Sequence, residues 1–322
     1  MSRGVLGGDI RGERLVGRVH SFPAFIVTLM FYPCGTAVRA YRATPFLLWA
    51  RRTDPCGYVS LWVDKEVSVF SDQVVVITGA GGGIGAATAH RFSRDGATVV
   101  LVGRTREKLE NTAAAAPAGA RVLARTADLT VPDEVDALIS SVIADLGRID
   151  VLVNNAGAPT MGTVEDLKPD RWRATMAINL DAVYHTSRAA MPHLRTARGS
   201  IVNIGASSGL GGDYGMAAYN AAKGAVVNLT RAMALDHAPE VRINAVHPGF
   251  TLNTGITAGA TPEMPLVKSF AERIPFGRAA EPDEVAAVIA FLAGPDARYV
   301  TGVQIPVDGG LTASNGQPRI EI

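Results

Sequence analysis

The stretch "QVVVITGAGGGIGAATAHRF", residues 73 to 92, runs from an apolar strand through a glycine-rich turn into a stretch of helix length. Gly79, Gly83 and Gly85, with Ile84 between the last two, stand where a strand must turn tightly and let a pyrophosphate approach a helix N-terminus. The helix dipole and free amides attract phosphate. A glycine turn alone also occurs in connections that bind nothing. Here a strand precedes it, a helix follows, and a second strand ends at about the expected distance, so the sequence predicts a dinucleotide site.

Outward from this turn, apolar runs of strand length alternate with amphipathic runs of helix length, as parallel βα units require. The predicted strands are "QVVVITG" (73–79), "TVVLVG" (98–103), "RVLARTADL" (121–129), "DVLVNNAG" (150–157), "GSIVNIG" (199–205), "VRINAVHPG" (241–249) and "GVQIPVDGG" (302–310). Strands so continuously apolar are buried on both faces, which places helices on both sides of the sheet. The fold class is therefore α/β: one doubly wound, Rossmann-type domain over residues 71–322, with a seven-stranded parallel sheet. Ligands are expected at the carboxyl ends of its strands.

Residues 1–70 differ in texture. They are rich in Arg and Gly, show no sustained period, and are interrupted by Pro23, Pro33, Pro45 and Pro55. An irregular extension, or a start placed too far upstream, is expected. The apolar run Phe22–Phe31 is too short to span a bilayer. Arginines before it and small residues after it admit a signal peptide, which a nucleotide-binding domain argues against. Both cysteines, Cys34 and Cys56, lie in this extension, so the rest of the chain has no thiol for a disulfide, a zinc cluster or a nucleophile. No metal site is expected, and a reducing cytoplasm suits the chain. The formal net charge of +1 offers nothing to attract nucleic acid or an anionic membrane, leaving a small-molecule partner.

The second strand ends "LVGRT". Gly103 stands where an acidic residue would hold a ribose 2′-hydroxyl, and Arg104 follows it. A carboxylate repels a 2′-phosphate and an arginine accepts it, which favours NADP(H), with NAD(H) still possible. Asp128 in "ADLT" is placed to contact the adenine edge or to cap the helix starting near Pro132.

In order, the chain carries "TGAGGGIG" (78–85), "NNAG" (154–157), "INL" (178–180), "YNAAK" (219–223), "HPG" (247–249) and "YVTGVQIPVDGG" (299–310). In this order and spacing it resembles the short-chain dehydrogenase/reductase family, from about Gln73 to Ala313, in its single-domain branch. The resemblance implies hydride transfer between a nicotinamide and a carbonyl/alcohol pair, with Tyr219 as general acid/base. A tyrosine titrates near ~10, and Lys223, sharing its helix face at i+4, is expected to lower that value and to hold the nicotinamide ribose. It further implies that Asn179 holds a water relaying protons from Lys223. Asn154 and Asn155 are expected to brace the sheet near the cofactor. Pro248, Gly249 and Thr251 or Thr254, in "PGFTLNT", are expected to border the carboxamide and phosphates.

One element of the pattern is missing. The family's serine, which hydrogen-bonds the reacting oxygen, normally sits thirteen residues before the tyrosine, and that position is Ala206. Three readings stay open: Ser207 reaches the site through a local shift of a Gly-rich segment; the enzyme works without the hydroxyl and is slow; or the chain binds NADP(H) without turnover. A lyase or isomerase using the same phenolate is a further rival. Leu210, Asp213, Tyr214 and Met216 are candidate substrate contacts, and residues 255–276 a candidate lid. In that lid Leu266, Val267, Phe270 and Ile274 recur at helical spacing, to line an apolar pocket for an alicyclic, aromatic or lipid-like substrate or to pack the lid itself. The Tyr219 helix and "VQIPVDGG" are expected to build a homodimer or homotetramer.

Overall fold

The computed structural model describes residues 68–255 and 257–317, together with four strand segments before them. Contacts divide the chain into two units, 1–67 and 68–322, a division three residues before the expected boundary. In the first unit, β1 (Ile26–Leu29), β2 (Arg42–Ala43), β3 (Phe46–Arg52) and β4 (Val59–Asp64) pair antiparallel in the order β1-β4-β3-β2. The rest of the extension lies outside the described residues, including both cysteines.

The second unit contains all seven expected strands: β5 (Val74–Thr78), β6 (Thr98–Gly103), β7 (Val122–Thr126), β8 (Val151–Asn154), β9 (Ser200–Ile204), β10 (Arg242–Pro248) and β11 (Gln304–Val307). They form one parallel sheet in the order β11-β10-β9-β8-β5-β6-β7. The order reverses between β5 and β8, so a crevice opens above their carboxyl ends.

Alternation along β5 explains the two faces. Val75 and Ile77 join one core with Phe92 of α1 (Gly83–Arg94), Leu109 of α2 (Arg106–Ala114) and Val285, Ile289 and Leu292 of α9 (Pro282–Ala293). Val74 and Val76 join the other with Val135 and Ile139 of α3 (Pro132–Leu146), Leu194 of α5 (Ala182–Ala197) and Met233 of α7 (Ala217–His237). Phe70 lies edge-on to Phe92 at 4.7 Å and belongs to the first core. Burial of these aliphatic faces is the main force holding helices to the sheet, at about 25 cal/mol per Å² of apolar surface.

Helix α4 (Pro169–Met176) runs through a π-turn, Ala177–Asp181, into α5. A four-residue helix, α6 (Ser207–Leu210), separates β9 from α7. The expected lid contains α8 (Pro265–Arg273). There Val267 packs with Leu252 and Ala279, and Phe270 stacks on Phe250 at 4.2 Å, while Leu266 is exposed. Of the two roles open for the lid's apolar residues, Val267 and Phe270 therefore fill the packing role.

Candidate active site

The glycine turn has the cradle geometry its spacing predicts. Gly79 has φ +65° and lies against Asn155 and Ala156, and a Cβ on Gly85 would stand 2.3 Å from the Gly79 carbonyl oxygen. Neither position tolerates a side chain. Helix α1 starts at Gly83 with no acidic residue in its first turn and no side-chain cap, so its amides are open to an anion. Ile84 tucks against the core beneath the turn. Asn155 braces the site from β8, donating through Nδ2 to the Thr78 and Gly79 carbonyls at 2.9 and 3.1 Å.

Asn154 does something different. It is buried, donates to Ser187 Oγ and Asn203 Oδ1 at 3.0 and 2.9 Å, and accepts from Thr186 at 2.7 Å. Asn203 in turn donates to Thr230 at 2.9 Å, tying β8 and β9 to α7. This polar chain was foreshadowed in the sequence by an asparagine inside the apolar strand "IVNI".

Arg104 is exposed at the end of β6, and its charge helps to hold the Asp128 carboxyl below the ordinary range, after hydrogen bonds from Thr130. Asp128 Oδ1 accepts from the Thr130 amide and hydroxyl at 2.9 and 2.7 Å, closing a local turn. The N-cap of α3 is Val131, so capping is not the role of Asp128.

Past β10, the Gly249 amide bonds to the Val307 carbonyl at 3.0 Å. Thr251 is buried, and its hydroxyl is taken up by the Gly249 carbonyl at 3.1 Å. Thr254 instead lies over the glycine turn, its Cα 3.0 Å from where a Gly83 Cβ would be. Of the two threonines, Thr254 is the one beside the glycine turn.

Tyr219 and Lys223 lie one turn apart on α7, with Nζ 5.7 Å from the Tyr219 ring centroid. Lys223 is buried and donates to the Ile204 carbonyl at the end of β9 at 2.7 Å. Burial pushes the lysine down to about 8 and the Tyr219 phenol up to about 12, the Asp213 carboxylate adding to the latter. The expected lowering of the tyrosine by its neighbour is thus outweighed here by desolvation.

Asn179 sits in the π-turn, fully buried, a helix irregularity frequent at functional sites. Its Nδ2 donates to the Ala158 and Thr175 carbonyls at 2.9 and 3.0 Å, and its Oδ1 accepts from the Ala158 amide at 3.2 Å. The side chain is therefore committed to bracing the "NNAG" loop. Asn179 and Lys223 nevertheless converge: a Cβ on Gly157 would lie 2.7 Å from Asn179 Oδ1 and 3.5 Å from Lys223 Nζ.

Ala206 and Ser207 stand where β9 gives way to α6, both half-buried. The expected substrate residues scatter: Leu210 is exposed at 37%, Tyr214 projects into solvent at 94%, and Met216 is half-buried and bridges to Gly162. Asp213 is tied to α7 by Asn220, which donates to its carbonyl at 2.9 Å.

Residues 79–312 match the family model described as "Enoyl-(Acyl carrier protein) reductase". The chain is 51% identical over 252 residues to meso-2,3-butanediol dehydrogenase of Serratia marcescens, covering 78% of this chain and 99% of that protein. It is 40% identical to cis-4-hydroxycyclohexanecarboxylate dehydrogenase of Sinomonas cyclohexanicum, covering 76% and 98%. Ligand-free aldohexose dehydrogenase of Thermoplasma acidophilum superposes with a TM-score of 0.69 at 32% identity, covering 79% and 99%. The chain belongs to the short-chain dehydrogenase/reductase family. As a member it is an oxidoreductase acting between CH–OH and C=O groups with a nicotinamide cofactor. Among the described residues, no helix is long and apolar enough to cross a membrane.

Proposed function

We propose that this chain is an NADP(H)-preferring enzyme that interconverts a ketone and a secondary alcohol, with Tyr219 as general acid/base. The observation that carries the reading is the pairing of half-buried Tyr219 with buried Lys223 beside the end of β9, with Asn179 converging on Lys223 at Gly157. The cradle fits a dinucleotide: Gly79 and Gly85 leave no room for side chains, the helix amides are open, and Thr254 lies against Gly83. The bound nicotinamide supplies or accepts the hydride.

In reduction, Tyr219 delivers its proton to the carbonyl oxygen, which a high phenol pKa in a buried site suits. In oxidation the same phenol must become a base, and Lys223 then provides the compensating charge. Lys223 also holds the ribose through the donor capacity left beyond Ile204. Ser207 supplies the oxyanion hydroxyl in place of a side chain at Ala206. Asn179 supports proton relay through its main chain, since its side chain is engaged. Arg104 receives a 2′-phosphate, where Gly103 offers no carboxylate to repel it.

The named activities of the relatives, on a small diol and on cyclic alcohols, support a compact aliphatic or alicyclic substrate. A cytoplasmic homodimer or homotetramer is the setting we propose. Nothing favours a non-catalytic role, with Tyr219, Lys223 and Asn179 all in place.

The test is NADPH and NADH oxidation by the purified chain over vicinal diketones, hydroxyketones and cyclohexanones. Turnover with NADPH ahead of NADH, lost in Tyr219→Phe, is the expected result. Near-full turnover by Tyr219→Phe would remove the assignment.

A further inference from the structure

The turn that follows β9 is held by two side chains from neighbouring elements. Lys223 Nζ donates to the Ile204 carbonyl at 2.7 Å. Two residues on, the Ala206 carbonyl lies 3.1 Å from Nδ1 of His247 and accepts from the Gly209 amide at 2.9 Å. Between them Gly205 donates to the Val246 carbonyl at 2.8 Å. A Cβ on Gly205 would stand 2.2 Å from His247 Nδ1 and 2.3 Å from its Cε1, so the imidazole occupies the space of a side chain at 205. The ring is fully buried, and its Nε2 lies 2.8 Å from the Gln304 side-chain oxygen on β11.

A carbonyl oxygen only accepts, so the contact with Ala206 is a hydrogen bond when Nδ1 carries the proton. The Gln304 oxygen also only accepts, so it bonds to Nε2 when that nitrogen is protonated; for a neutral ring with its proton on Nδ1, the Gln304 amide turns over to present its NH2 and gives up the 3.3 Å bond to the Gly302 carbonyl. Ala206 is the N-cap of α6 and Ser207 its first residue, so the carbonyl that His247 holds belongs to the peptide leading into Ser207.

We propose that His247, oriented by Gln304, is a positioning residue: it pins the Gly205–Ser207 turn so that Ser207 supplies the hydroxyl that Ala206 lacks. The inference rests on the hydride-transfer reading above. A serine flanked by Gly205 and Gly209 has more backbone freedom than a rigid site tolerates. Anchoring the preceding carbonyl removes that freedom before substrate arrives. Gly205, Ala206 and His247 then form one arrangement, the imidazole filling the space that glycine leaves.

The test is a double-mutant cycle on the full chain with NADPH and the best ketone. Ser207→Ala should lower kcat about 10²–10³-fold, as loss of an oxyanion donor does. His247→Leu should lower it about 10²-fold through misplacement, with KM for NADPH nearly unchanged. The double variant should be no slower than Ser207→Ala alone, because both changes remove the same hydroxyl from the reaction. His247→Asn, whose amide nitrogen can overlay Nδ1, should recover most of the rate, and His247→Gln should not. If His247→Leu fails to fold by circular dichroism, the Asn and Gln variants carry the comparison alone. Multiplying losses in the double variant, or equal rates for the Asn and Gln variants, overturn the proposal. The hydride-transfer reading fails by a different result, full turnover in Tyr219→Phe or no cofactor consumption by the parent, and the proposal then falls with it.

Discussion

Lys223 stands 5.7 Å from the centre of the Tyr219 ring, yet its hydrogen bond goes to the Ile204 carbonyl and not to the phenol. The lysine is therefore a buried cation satisfied by main chain, poised beside the tyrosine. Burial costs it stability and gives it function, and the two can be measured apart.

Lys223→Met should lower kcat by about 10²–10⁴-fold, the range for a disabled acid/base group. It should not destabilise the fold at neutral pH. Relieving a lysine pushed down to about 8 returns roughly 3 kcal/mol, against about 1–3 kcal/mol for the lost hydrogen bond to Ile204. Urea unfolding of parent and variant checks this; a loss of several kcal/mol would show that the ammonium is a structural strut.

The pH dependence of stability follows from the same two groups. Below about 8, Lys223 is protonated in folded and unfolded chains alike, and the full burial penalty applies. Between about 8 and its ordinary value of 10.5, the folded chain releases a proton the unfolded chain keeps, so stability rises with pH. Tyr219 acts in the opposite direction: between 10.0 and about 12 the folded chain keeps a proton the unfolded chain has lost, so stability falls. Subtracting the profile of a Tyr219→Phe, Lys223→Met double variant from that of the parent should leave a maximum near pH 10. A flat difference would mean that neither group is desolvated.

Cofactor choice is the third expectation. Arg104→Gln should reduce kcat/KM for NADPH about tenfold or more, the loss of a charge-assisted phosphate contact, and leave NADH nearly untouched. Gly103→Asp should invert the preference. Its new Cβ would meet only a Leu109 methyl at 3.2 Å, which a flexible side chain can yield. Steady-state kinetics with both cofactors decide it, and unchanged NADPH selectivity in Arg104→Gln would leave the arginine a surface charge.

What could be read from sequence was what short-range pattern encodes. Runs such as "VVVIT" and "TVVLVG" are buried strands by composition alone, and all seven are present. In the extension, β1 to β4 are short local pairings, and the sequence there carries no sustained period. Nothing in "INL" announces a π-turn, and nothing near Asp128 shows that Thr130 claims its carboxylate before the helix does. For the Tyr219 phenol, charge spacing is visible in sequence and desolvation, the largest cause of its upward shift, is not. His247 and Arg242 escaped for a related reason: their partners lie 41 to 57 residues away, across strands whose neighbours are set by topology.

Arg242 supports the last prediction. At the start of β10 its guanidinium reaches carbonyls at the end of α9 and in the turn after it, with NH1 at 2.6 Å from Leu292 and 3.0 Å from Ala297, and NH2 at 2.9 Å from Ala293 and 3.3 Å from Gly294. Leu292 and Ala293 are in the last turn of the helix, where carbonyls lack intrahelical partners and a cation complements the dipole, while the Gly294 and Ala297 carbonyls also accept from the Ala297 and Val300 amides. Among the described residues no carboxylate shares the contact, so the arginine acts as a C-cap that ties α9 to the sheet. Arg242→Met should destabilise by about 2–5 kcal/mol, since buried carbonyls lose a charged donor. Arg242→Lys, with fewer and unforked donors, should recover part of that. Because the contact is far in sequence from Tyr219 and touches none of the site residues, kcat of the folded fraction should stay at the parental value. Loss of kcat in a variant that melts like the parent would reveal that α9 positions the site and does not merely cover the sheet.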